Sequence, residues 1–200
     1  MRVRARSHDG QAGITVVEMT VVVSLLAIVL AVALQGLTAY QRAAAGSDAR
    51  LQDLDEARIV MAVLTKDLRT ATEFTAVAAS DVTFLGLVNT GATAPPNELR
   101  LRVDGQGRLL EEVTPPDDPN ASPITYTGTP TTRVVGRGLV NTAGLFSFRD
   151  SADNPTTTLS SVRSVVITLS VDLPTDAPVA PTVLSSRVFL PNVAAAVSGA

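Results

Sequence analysis

The sequence predicts an α+β fold, with one long N-terminal helix packed on a C-terminal antiparallel β-sheet head. Three observations in its 200 residues carry that expectation. Residues 19–40 hold no charged side chain over 22 positions. Leu54, Ala57, Met61, Leu64, Leu68 and Ala71 then recur at spacings of three and four, the stripe of an amphipathic helix. Beyond residue 75 short β-prone runs alternate with Gly, Pro, Asn and Asp punctuation. The chain therefore divides into a basic lead segment (1–13), an apolar helical half (14–40), an amphipathic helical half (41–74) and a β-rich head (75–200).

The apolar half reads as a membrane span. Val21, Val22, Val23, Leu25, Leu26, Ile28, Val29, Leu30, Val32 and Leu34 dominate it. A helix rises about 1.5 Å per residue, so about 20 apolar residues cross a bilayer core. Arg2, Arg4 and Arg6 precede the run and no further basic residue appears before Arg42. That asymmetry predicts a single pass with the N-terminus inside and the head outside. A secretory signal also has a basic start and an apolar core, but this run is longer than a signal core and carries Glu18 at its edge. A charge at the centre of a membrane helix costs about 2.5–3.5 kcal/mol on insertion scales, less near an end. Glu18 is either an interfacial carboxylate reaching for water or a residue with a partner.

The residues around Glu18 bear on that choice. The stretch Gly13-Ile14-Thr15-Val16-Val17-Glu18-Met19 resembles the cleavage and methylation signal of type IV prepilins. In that family a short basic leader ends in Gly, a prepilin peptidase cuts after it and methylates the new N-terminus, and a Glu stands five residues into the mature chain. The resemblance implies cleavage between Gly13 and Ile14, N-methylation of Ile14 and an assembly role for Glu18. Gly10 has no Glu at the right distance. Ile14 departs from the Phe most often found there. Cleavage would leave a cationic amine about 6 Å along the helix axis from Glu18. Opposite charges attract strongly where the dielectric is low, and a carboxylate buried alone in a wrong register is penalised. The amine of one subunit meeting Glu18 of another is thus a device for choosing register.

The second half of the helix reads as a face lying on the head, with Asp53, Asp55, Glu56, Arg58, Lys66, Asp67 and Arg69 on its other faces and a bend at Gly46-Ser47. In the head, 82–88 is a strand. Residues 98–103 and 108–113 form a hairpin about Gly105-Gln106-Gly107, and 115–120 is a Pro-rich loop. Weaker strands fall at 124–127, 133–135 and 144–148, stronger ones at 162–173 and 183–190, with a Pro-rich loop at 174–181. The run Asp67-Leu68-Arg69-Thr70-Ala71 and the order of the later segments are similar to PilW-type minor pilins and to J-type pseudopilins of type II secretion, although Pro191-Asn192 stands where a more basic pair is usual.

No catalytic constellation stands out, and no cofactor is expected. Cys is absent and the single histidine, His8, lies in the lead segment, so the remainder lacks the common zinc ligands and the usual general base. Asp117, Asp118 and Asn120, and likewise Asp150, Asp153 and Asn154, are candidate calcium donors weighed against plain solvated loops; neither set has the ligand ring of an EF-hand. Arg100, Arg102 and Arg108 could make a small basic patch for DNA. Beyond residue 13, however, the chain carries 13 Lys and Arg against 18 Asp and Glu, which argues against a nucleic-acid partner.

The expectation is a non-enzymatic structural subunit, a minor pilin or pseudopilin of a pilus, type II secretion or DNA-uptake filament. Its implied partners are other pilins or pseudopilins, the prepilin peptidase and the inner-membrane assembly platform. The rival is a single-pass, membrane-anchored binding domain that does not polymerise.

Overall fold

The computed structural model describes residues 15–87, 95–174 and 179–193. Helix α1 spans Val16–Arg69 and is followed by eight strands: β1 (Ala71–Val77), β2 (Asp81–Gly86), β3 (Asn97–Val103), β4 (Leu109–Thr114), β5 (Thr131–Gly136), β6 (Phe146–Arg149), β7 (Ser164–Val171) and β8 (Thr182–Phe189). The expected α+β organisation is present. The helix is assigned without a break through Gly46-Ser47, where a bend was expected. By contacts the chain divides into two compact units, Met1–Ala45 and Gly46–Ala200.

In the second unit the strands form two antiparallel sheets, β1-β2-β3-β4-β5 and β6-β7-β8. Alternation decides the inward faces. Val82 and Phe84 of β2 stand opposite Leu101 and Leu99 of β3, and all four are fully buried. Their core is continuous with Val165, Ile167 and Leu169 of β7 and with Val60, Leu64 and Leu68 of α1. Phe74, Phe84, Phe146 and Phe148 join the sheets through ring pairs 5.8–6.3 Å apart. The expected β3–β4 hairpin is present. Its turn is held by Asp104, whose Oδ1 accepts the Gln106 and Arg108 N–H groups, and by Gly107 at φ +68°.

The last turn of the expected helix is instead strand. α1 ends at Arg69, not at residue 74. Thr70 turns back on the Asp67 carbonyl, to which both its N–H and its hydroxyl donate. β1 then carries Ala71 and Phe74 into the core from a sheet. Thr70, Thr72 and Thr75 are β-branched and lose χ1 freedom in a helix. Residues 124–127 are loop rather than strand: the Thr127 N–H and the Thr125 hydroxyl donate to the Asp117 carboxylate, and the Thr125 carbonyl accepts the Asp117 N–H. The strands expected at 133–135, 144–148, 162–173 and 183–190 are β5, β6, β7 and β8, with ends shifted by a few residues. The end of the expected 82–88 strand and part of the 174–181 loop lie outside the described residues.

The helix seats on the head along the expected stripe, which is wider than the spacing alone implied. Ala57, Met61, Leu64 and Leu68 are buried as expected, joined by Ala49, Asp53, Val60 and Asp67, while Leu54 is only half-buried. Asp53 and Asp67, expected on solvent-facing sides, are therefore inside. Asp53 Oδ1 accepts the Leu173 N–H at 2.9 Å and Glu56 Oε1 accepts the Arg137 N–H at 2.9 Å. Gly136 is needed where β5 passes under the helix, since a Cβ there would lie 2.1 Å from Val60 Cγ2.

Candidate functional site

The strongest candidate is the start of α1. Thr15 stands just before the helix, and its Oγ1 accepts the Glu18 N–H at 3.2 Å while its carbonyl accepts the Met19 N–H at 3.1 Å. A threonine followed three residues later by a glutamate is the capping-box pattern, and Thr15 supplies the side-chain half of it. Reading Glu18 for its charge alone missed this contribution of Thr15. Glu18 is exposed and sits in the first turn, where the helix dipole favours a negative side chain. Gly13 and Ile14, the expected cleavage pair, lie outside the described residues.

After Glu18 the helix surface is apolar on every side. Each large apolar side chain from Val21 to Leu37 is 52–64% exposed. Water hydrates such a cylinder at a cost of about 25 cal/mol per Å² of apolar surface, so it calls for lipid or other apolar helices around it. Its threonine and serine hydroxyls are satisfied internally. Thr20 donates to the Val16 carbonyl at 2.8 Å, Ser24 to the Thr20 carbonyl at 2.7 Å and Thr38 to the Gln35 carbonyl at 2.9 Å. Helical backbone bonding with hydroxyls turned back onto the backbone is what a hydrocarbon surrounding demands. The helix is long and apolar enough to cross a membrane. This surface, with one carboxylate at its end, can pack side by side with lipid or with copies of itself.

No family model, curated protein or solved structure matches this chain.

The other candidate residues are engaged within the head. Arg100 is held by Asp81 through its Nε and Nη2, and that bond, more than any other influence, strengthens its hold on its proton. Arg102 Nε donates to Glu112 Oε1 at 2.8 Å and Arg108 Nε to Asp104 Oδ2 at 2.7 Å. The three arginines are each spent on an acid and do not form a free basic patch. Glu111 of β4 accepts from Arg133 of β5.

The carboxylates read as calcium donors work as loop staples. Asp117 accepts from the Thr125 hydroxyl and from the Thr127 and Gly128 N–H groups, and these bonds, Thr125 first, hold its carboxyl below its ordinary range. Asp118 Oδ1 accepts the Asn120 N–H. Asp150 accepts the Asn154 and Ala152 N–H groups, with the same effect on its carboxyl, Asn154 contributing most. Asp153 pairs with Arg187 at 2.8 Å. Among the described residues no three acids or histidines gather as a metal site.

Proposed function

We propose that the chain is a pilin-like structural subunit, held in a membrane and then in a filament by the first half of α1. One observation carries the proposal: an all-round apolar helix bears a single carboxylate, Glu18, in its first turn. An anchor needs the apolar surface but has no use for a charge at that depth. A filament subunit uses both, because the carboxylate selects the neighbour whose freed amine it meets. The sequence around Gly13 and Ile14 supplies that amine if the lead segment is removed as in prepilins. The resemblance to minor pilins and pseudopilins extends the reading to a head facing away from the cytoplasm and to other pilins as partners. A prepilin peptidase and a membrane assembly platform would act on the subunit.

Mass spectrometry of the protein from its host tests the processing step. The expected mature chain starts at an N-methylated Ile14. An intact Met1, or a cut beyond Leu34, returns the protein to the class of anchored or secreted modules that do not polymerise. Processing and assembly are separable. Glu18→Gln should leave the cut and the membrane insertion intact and reduce incorporation into sheared filaments at least about tenfold, the loss of about 1.4 kcal/mol of pairing. Equal incorporation of the variant removes the assembly role of Glu18.

A further inference from the structure

Asp67 lies in the last turn of α1, and its side chain has no role in the function proposed above. The residue is 1% exposed, and its Oδ2 accepts no hydrogen bond among the described residues. It lines a cleft of about 500 Å³ with Lys66, Asn97, Glu111, Thr131 and Arg133. Glu111 is itself buried, and its Oε2 is already taken by Arg133 Nε at 2.6 Å. The Arg133 side chain is 60% exposed and reaches in from the rim.

The charges around Asp67 come from three elements. Lys66 is the neighbour on its own helix, Glu111 comes from β4 and Arg133 from β5, while β3 contributes the neutral Asn97. Glu112, the other acid of β4, is committed to Arg102. Two carboxylates thus share a cleft in which the guanidinium is directed at only one of them. Burial first, and the Glu111 charge second, push the Asp67 carboxyl from 3.8 up to about 6.

We infer that Asp67 is a proton-operated latch: protonated, it seats the last turn of α1 against β4 and β5, and ionised, it favours an open cleft in which its carboxylate reaches water. The direction follows from linkage. A carboxyl that binds its proton more tightly in the closed form than in water favours the closed form in acid. That advantage is complete below about pH 4 and is lost as pH rises through about 6. A difference of about two pH units between closed and open forms corresponds to an open-to-closed ratio that grows up to about a hundredfold. Glu111 and Arg133 set where the change occurs. The latch lies wholly within the second unit and does not depend on what the apolar half of α1 does.

Hydrogen exchange read by mass spectrometry, on the full chain in detergent micelles at about pH 5 and about pH 7.5, tests the latch. After correction for the intrinsic rate, protection at 64–69 and 131–135 should fall by up to about tenfold at the higher pH while β7 and β8 keep theirs. Asp67→Asn should abolish the fall. Glu111→Gln should move the midpoint to lower pH, because it removes the second carboxylate and frees Arg133 for Asp67. Equal wild-type protection at the two pH values overturns the latch, as does a fall that survives in Asp67→Asn. A fall shared equally by β6, β7 and β8 overturns it too, since it would make Asp67 a determinant of global stability. Should Asp67→Asn fail to fold, an unmoved midpoint in Glu111→Gln overturns it alone.

Discussion

The two halves of α1 are built from the same helical backbone and solve opposite problems. Through Ala45 its described side chains are exposed, its hydroxyls bond back to its own carbonyls, and Glu18 is the one acid. From Gly46 on, eight of its residues are buried, two acids among them, and its polar groups reach out to other segments: Asp53 to Leu173, Glu56 to Arg137, and the Arg69 carbonyl to Asn192. The first half keeps its hydrogen bonds to itself, as a surface meant for an apolar surrounding must. The second half spends them on the head. The stability of the head should therefore depend on the second half alone, and association on the first.

Matched substitutions put that division at risk. Leu64→Ala removes a fully buried side chain and should destabilise the head by about 2–5 kcal/mol in chemical denaturation. Leu26→Ala, the same change in the exposed half, should leave the head's denaturation midpoint where it was; a matching loss at Leu26 would break the comparison. A smaller effect is expected at Asp53. Asp53→Ala strips the acceptor from the Leu173 N–H but also removes a buried Oδ2 that has no partner among the described residues, so the net loss should be about 1 kcal/mol. A gain in stability would mean that burying the polar side chain costs more than its bond returns. The smallest effect belongs to the 115–128 loop. Asp117 is depressed below its ordinary range, so its contribution is present above that range and is lost as pH falls through the lowered value. Acid below about pH 4 should release the amides of Thr127 and Gly128 while β2–β4 amides stay protected, as NMR would read it. Their persistence after Asp117→Ala would show that the staple is dispensable.

Much of this division is legible in the sequence, and the gaps have physical causes. The uncharged run 19–40 and the alternation of β3 each admit one secondary structure, helix and strand. β1 does not: Ala71 and Phe74 fit the helical spacing from Leu64 and Leu68 as well as they fit a strand, and only the Thr70 turn and pairing with β2 decide between them. The stripe through Ala57, Met61, Leu64 and Leu68 is legible, but the seam is wider than that, and charge taken as a mark of the outer face hides the extra width. Asp53 stands four residues before Ala57, and Asp67 three after Leu64, so both fall on the buried line. Their positions pointed inward, and only their chemistry pointed out. The ion pairs of Arg100, Arg102 and Arg133 depend on strand register, which pairs Arg100 with Glu112 and Glu111 with Arg133 across neighbouring strands. Composition carries no trace of register. The capping role of Thr15 was readable in the spacing to Glu18.

The five-stranded sheet follows the chain with no crossover, each strand lying beside its predecessor. Every pairing in it is therefore a near neighbour's, and no strand has to wait for a distant one. A polypeptide handed over gradually, front end first, can lay down this sheet row by row as the residues arrive. Its later β7–β8 layer then closes over a surface that is already in place.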